Sequence, residues 1–284
     1  MPGVECGDIG PKVAYDSKDN GYLILNQVRI PRRNMLMRFV KVSKEGDFSI
    51  EGDIRILYSV MMFIRVILIN TEAMSLAQAL TISLRYSAVR RQFATQEGTK
   101  KERRILDYQA HHFKVIPPLA FTYMMRFASI EVHNLYNTLM EDIQKEDFSK
   151  LELMHHYASG FKSMFTEATH VRIEQLRQTL GGVGFSDFAG ISEILREDYP
   201  GVTFEGDTTI MIQQAARYLM KTVKSVGRGA EPKFPMEYLK DLKTVEKRQG
   251  AALSFHDYLR IDVLEDALAT RSNLMVGSTM LKLA

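Results

Sequence analysis

The sequence is poor in cysteine, has no tryptophan and carries no large excess of either charge. Its one cysteine, Cys6, excludes an internal disulfide framework and any multi-cysteine zinc or iron–sulfur centre. The 37 Lys and Arg nearly cancel the 34 Asp and Glu, leaving a formal net charge of +3. No broad basic field is present, so nucleic acid is not an expected partner. Histidines are few and poorly spaced for metal. His111-His112 and His155-His156 are adjacent pairs whose side chains diverge by about 100° on a helix, and there is no HExxH or i,i+4 pair. A GxSxG elbow is also missing, which removes the commonest hydrolase signature.

Long apolar runs are interrupted. Between Ile56 and Leu84 the run is broken by Arg65 and then by Asn70, Thr71, Glu72 and Gln78, which reads as the buried helix of a bundle rather than a membrane span. The first ten residues, MPGVECGDIG, lack the basic and apolar regions of a secretory signal. The last five, Met-Leu-Lys-Leu-Ala, are not a Ser-Lys-Leu peroxisomal address, and they lie in a helix-like stretch without a breaker. What the sequence does have is length and apolar mass. Its 284 residues, 45% hydrophobic, can bury the core of one large domain or two modest ones, and 16 Met with 15 Phe point to an adaptable helical interior.

The chain changes character along its length. In residues 1–52, Gly21–Leu25 and Val28–Ile30 read as short strands between the turn-rich 16–20 and Pro31. A ribbon of that size needs a second layer, supplied by the following helices or by strands absent from the chain. Residues 53–227 read as helical. A first helix is expected from about Ile54 towards Arg91, ending in a cluster where seven Lys and Arg (85–104) face Glu97 and Glu102, a local +5. A second is expected over 104–143, kinked or broken at Pro117-Pro118. A third opens at Ser149, in capping-box spacing with Glu152, and stops at Gly181-Gly182. A short helical piece over 190–198 and a turn over 199–206 follow. Asp207 then caps a helix that closes near Lys221, Lys224 and Gly227. Residues 228–248 look like a linker, and 251–284 read as helical again.

Three segments carry possible chemistry. Gly181-Gly182-Val183-Gly184 follows a helix rather than a strand, so by spacing it is a helix stop before it is a phosphate loop. Arg90-Arg91-Gln92-Phe93 is either a solvated helix end or a guanidinium fork for a pyrophosphate. Glu205, between Phe204 and Gly206, leaves a turn rather than a helix face; it is either a surface glutamate or a general base.

In this order, Arg-Arg-Gln-Phe, Gln178–Ser186 (QTLGGVGFS) and Thr203–Thr209 (TFEGDTT) resemble the acyl-CoA dehydrogenase and oxidase superfamily. The oxidase branch fits best, because Gly7–Lys12, Asp19–Leu23, Arg29–Met37 and Arg85–Gln92 resemble peroxisomal acyl-CoA oxidases. The resemblance implies a mainly α fold: an up-and-down helical bundle, with residues 1–52 a remnant of a middle β-barrel domain, 53–227 the bundle, and 228–284 a linker and the start of a second helical domain. It implies oxidation of fatty acyl-CoA to trans-2-enoyl-CoA, with FAD taking the hydride and molecular oxygen reduced to hydrogen peroxide, in a peroxisome and in a homodimer. Glu205 matches the base that removes the α-proton, and its own amide is the expected carbonyl donor. Arg90 and Phe93 match a motif touching FAD across the subunit boundary; Gln178, Gly181 and Gly182 match its adenine side. Asp207 and Thr209 stand where dehydrogenases have other polar FAD contacts. Full-length oxidases run to more than twice this length, so the chain resembles a fragment expected to bind FAD poorly and to turn over little substrate alone. Two other readings stand beside this one: a noncatalytic truncated subunit that pairs with full-length oxidase, and a dehydrogenase serving an electron-transfer flavoprotein.

Overall fold

The computed structural model describes residues 1–51, 55–94, 100–242, 244 and 254–283. They form two compact units, Met1–Gln214 and Ala215–Ala284. The first is built on three long helices, α1 (Arg55–Val89), α2 (Gln109–Gln144) and α3 (Leu151–Thr179). Polar contacts across their interfaces fix the directions. Ser83 and Thr179 meet at 2.6 Å near one end of α1 and α3, while Arg65 and Lys162 converge on neighbouring carbonyls near the other, so these two helices run parallel. Ser87 meets His111 at 2.7 Å and Arg126 meets Asn70 at 2.5 Å, so α2 runs antiparallel to both. This is the expected up-and-down arrangement.

The core lies between the three helices, with Ile69, Leu76 and Ala79 of α1 against Met125 and Leu139 of α2 and Met154, Phe165 and Leu176 of α3. By length and composition α1 is apolar enough over Met61–Val89 to cross a membrane, but half of that stretch's most apolar window is buried in the fold. Arg65 and Glu72 are buried with it, which is why the apolar run carries charges at all.

Several sequence expectations are corrected. The second helix passes Pro117 and Pro118 without a break. The two prolines remove amide donors, yet packing of Val115 and Pro118 into the core outweighs the local penalty. The capping box at Ser149 does not form; α3 has Lys150 as its N-cap with no side-chain bond, and the Ser149 amide donates to Asp147 at 2.8 Å instead. Val28–Ile30 is not a strand, because Gln27 turns the backbone in a left-handed conformation at φ 49°. Gly21–Leu25 is β2 as expected, but its partner is the unforeseen β1 (Val4–Asp8), and every residue of β2 is exposed. Two further hairpins were illegible in the sequence: β3 (Val40–Val42) with β4 (Phe48–Ile50), and β5 (Arg91–Ala94) with β6 (Glu102–Arg104). The basic cluster therefore begins at the end of α1 with Arg85 and Arg90, as expected, and continues onto a hairpin with Arg91, Arg103 and Arg104.

After α3 come α4 (Ile191–Asp198), a 3-10 turn over Tyr199–Val202, and α5 (Thr208–Gly227). Asp207 caps α5 as expected, its Oδ1 accepting from the Thr209 amide at 2.9 Å. The left-handed stop lies at Gly229 (φ 97°) rather than Gly227. In the second unit, α6 (Ile261–Leu283) packs against a 3-10 turn at Glu237–Asp241, where buried Asn273 donates to the Tyr238 carbonyl at 2.5 Å. Part of the expected linker is thus ordered structure with Leu239 fully buried. Residues 243 and 245–248 of it, and the start of the expected C-terminal helical stretch at 251–253, fall outside the described residues.

Candidate functional site

Glu205 is half-buried and adopts φ 57°, a left-handed conformation that costs a non-glycine residue about 1–2 kcal/mol. Gly206 follows at φ 112°, where a Cβ would come within 2.8 Å of the Met211 sulfur. Two buried cations hold this turn from behind. Arg65 Nε donates to the Glu205 carbonyl at 2.9 Å, and Lys162 Nζ donates to the Gly206 carbonyl. A hydrogen bond from a charged donor contributes about 1.5–3 kcal/mol, so two of them outweigh the strain of the turn. Ser163 Oγ adds a bond to the Thr208 carbonyl at 3.0 Å. Among the described residues no acceptor is in hydrogen-bonding position for the Glu205 amide itself.

Burial opposes both cations. It pulls Lys162 below the usual lysine range, with Arg65 adding repulsion and Glu72, Asp207 and Glu205 pulling back. Arg65 is likewise lowered by burial and supported by Glu205. Beside the turn, the Tyr15 and Phe204 rings lie 6.4 Å apart, and Ser17 Oγ donates to Glu197 at 3.0 Å, so the N-terminal segment lines this end of the bundle.

The other candidates collect at the opposite end. Val89 lies 24 residues beyond Arg65 on α1, about 36 Å along the helix, and Gln178 lies 16 beyond Lys162 on α3, about 24 Å. Arg90 is exposed, and its guanidinium has no protein partner among the described residues. Phe93 is 70% exposed at φ 62°, at an irregularity in the β5–β6 ladder between Gln92 and Ala94. A bulky ring in that conformation is a strained feature that its own chain does not use for packing. Gln178 is exposed and donates to Glu174 at 2.9 Å.

The glycines of the GGVG turn separate by cause. Gly181 (φ 59°) ends α3 in the left-handed conformation, and Gly184 is needed because a Cβ would sit 2.2 Å from the Arg177 carbonyl. Gly182 has neither reason: a Cβ there would meet nothing within 4 Å. Asp207 is engaged as the α5 cap, with Thr209 exposed on the first helical turn. The structure therefore groups Glu205, Asp207 and Thr209 at one end of the bundle and Arg90, Phe93, Gln178, Gly181 and Gly182 at the other.

Sequence reasoning missed the groups that hold the Glu205 turn. Arg65 and Glu72 registered only as interruptions of an apolar run, and Lys162 not at all. The available signal was the spacing of Arg65, Ile69 and Glu72 on α1 and of Lys162, Thr166 and Thr169 on α3, each set one helix face and each buried.

Three long helices, two parallel and one antiparallel, with a carboxylate turn clamped by two buried cations, make this a helical-bundle domain with a candidate acid–base site. The sequence family of the acyl-CoA oxidase C-alpha1 domain matches residues 58–220, and the chain belongs to the acyl-CoA oxidase family. It is 36% identical to peroxisomal acyl-coenzyme A oxidase 1 of Mus musculus over 97% of this chain and 42% of that protein. To the Bos taurus protein of the same name it is 40% identical over 85% of this chain and 36% of that one. Among solved structures, Arabidopsis thaliana acyl-CoA oxidase 1 superposes with a TM-score of 0.93 at 34% identity, over 98% of this chain and 43% of its own. Acyl-CoA oxidase-2 of Caenorhabditis elegans, bound with FAD, ascaroside-CoA and ATP, gives 0.85 at 35% identity, over 100% and 42%. The chain spans about two fifths of the length of these relatives.

Proposed function

We propose that this chain carries the catalytic base and part of the cofactor surface of an FAD-dependent acyl-CoA oxidase, which forms trans-2-enoyl-CoA from fatty acyl-CoA and reduces dioxygen to hydrogen peroxide. The observation that carries this reading is the Glu205 turn, a half-buried carboxylate in a strained conformation with both following carbonyls drawn inward by Arg65 and Lys162. In this reading the Glu205 carboxylate takes the proton from the carbon next to the thioester. Its amide, for which no acceptor stands among the described residues, donates to the thioester carbonyl and stabilises the charge that develops there. The two cations fix the peptide planes beforehand, so the donor need not reorganise during the reaction. Held by the residues at the far edge of a second copy's bundle, FAD would supply the hydride acceptor for the next carbon and the route for its electrons to oxygen.

The far edge of the bundle fits an extended dinucleotide. It offers a guanidinium at Arg90 without a partner among the described residues, an exposed ring at Phe93, the Gln178 amide and a bare backbone at Gly181-Gly182. Asp207 serves this reading by orienting the first turn of α5, and Thr209 offers a hydroxyl on it. Because about 36 Å of helix separates this edge from Glu205, we assign the two ends to different flavins and so to a homodimer. The names of the relatives support a peroxisomal setting. The matched family region, 58–220, supports a bundle domain close to 53–227, between a β remnant at 1–52 and the start of a further helical domain at 228–284.

A second reading, a noncatalytic subunit pairing with full-length oxidase, draws on the exposed Phe63, Ile64 and Ile67 of α1 and Phe127 and Ile130 of α2. A coupled peroxide assay with a long-chain acyl-CoA and added FAD, on the chain alone and mixed with a full-length subunit inactivated at its own base, separates the two. The enzyme reading expects peroxide that Glu205→Gln abolishes. Release indifferent to that substitution removes the role of Glu205, and no release from any mixture favours the noncatalytic reading.

A further inference from the structure

Behind the Glu205 turn lies a second acidic group that the proposed chemistry does not use. Glu72 of α1 is 2% exposed and Asp198, the last residue of α4, is 6% exposed. Their side chains face each other within hydrogen-bond reach, yet among the described residues Glu72 Oε2 and both Asp198 oxygens have no donor. Thr169 of α3, its hydroxyl directed at Met125 Sδ at 3.9 Å, lies close enough to Glu72 to draw its acid down somewhat, and Lys162 acts on it from a distance while committed to the Gly206 carbonyl. His170 Nδ1, buried with no other partner among the described residues, stands 3.6 Å from Asp198 and draws that acid back down against burial, the His170 ring lying edge-on to Tyr199. Arg65, a buried cation on α1, is engaged with the Glu205 carbonyl.

Two buried carboxylates with four oxygens and too few donors are not stable as two anions. One proton between them supplies the missing donor. We propose that Glu72 and Asp198 share a single proton and act as a positioning latch, tying the segment 198–206 to α1 so that Glu205 is presented in one place. The turn sits directly on this pair: a Cβ at Gly201 would lie 3.0 Å from Glu72 Oε1, and Asp198 is the residue from which the turn departs. Burial together with Asp198 pushes Glu72 up to about 10, and burial raises Asp198 as well, so the shared proton is retained through neutral pH. The latch concerns the backbone of the turn; its catalytic meaning rests on the reading of Glu205 as the base.

The test is amide hydrogen exchange of residues 199–207 in the full chain, followed by mass spectrometry, for wild type, Glu72→Gln and Glu72→Ala. Glutamine keeps a neutral donor towards Asp198, so exchange stays within about twofold of wild type at neutral pH. Alanine leaves Asp198 buried without its donor and speeds exchange of this segment by about tenfold or more. Between about pH 7 and pH 10, wild type opens beyond the intrinsic base catalysis of exchange, whereas Glu72→Gln does not. A Glu72→Gln protein as open as Glu72→Ala, or one with the wild-type pH response, overturns the latch. Should Glu72→Ala not fold, the pH comparison of wild type with Glu72→Gln decides alone. None of these readouts depends on peroxide release, so failure of the latch and failure of Glu205 as the base are separately visible.

Discussion

The two ends of the bundle are built on opposite principles. At the Glu205 end, buried charges close on one another and on backbone carbonyls of the same chain. At the Arg90 end, a guanidinium without a partner among the described residues, a largely exposed aromatic ring and a bare glycine backbone face outward. The difference teaches that one end is organised by folding and the other awaits something from outside. Strain occurs at both, at Glu205 and at Phe93, but only the first is balanced by visible bonds.

The comparison is broken most severely at Glu205. Glu205→Gln keeps the backbone and its clamps and should lower peroxide release by about 10²–10⁴-fold, with stability changed by less than about 0.5 kcal/mol. Assay and thermal melting read the two effects separately. Next come the groups that hold the first end together. Phe165, fully buried among Phe121 and Phe161, should cost about 3–5 kcal/mol on substitution by alanine, measured by denaturant unfolding.

The pH dependence of stability follows from Glu72. Its acid is raised in the folded protein, so its favourable contribution is complete below the unfolded carboxylate range and is lost as pH rises towards about 10. Unfolding free energies of wild type should therefore fall relative to Glu72→Gln between about pH 5 and 10, and parallel curves would contradict this assignment. The smallest effects sharpen the contrast at the other end. Gly184→Ala forces a Cβ against the Arg177 carbonyl and should destabilise by about 1–3 kcal/mol. Gly182→Ala should be neutral for stability and should weaken FAD binding, measured by flavin fluorescence titration.

Legibility followed the kind of signal each region carried. The three long helices were plain in the apolar periodicity and in the Gly181 stop, and Asp207 announced its cap. Gly21–Leu25 was read as a strand, but the pairing of the short hairpins was not, because β1 and β2 have little buried surface and so no alternation to match them by. The β5–β6 hairpin was hidden beneath a basic cluster that resembles a helix end. At the site, Glu205 was singled out by its turn between Phe204 and Gly206. Lys162 and Asp198 were invisible because their meaning lies in partners distant in sequence, at positions 206 and 72. A charge inside a buried helix announces that a partner exists without naming it.

The account turns on the two ends of the bundle serving one cofactor only when two copies meet. Hydrogen exchange of the chain with excess FAD, over a protein concentration series that spans dimer formation, tests this directly. The account predicts that segments 90–93, 178–182 and 203–209 gain protection together, and only as the dimer forms. FAD-dependent protection of 203–209 in the monomer, with 90–93 and 178–182 unchanged, would contradict it.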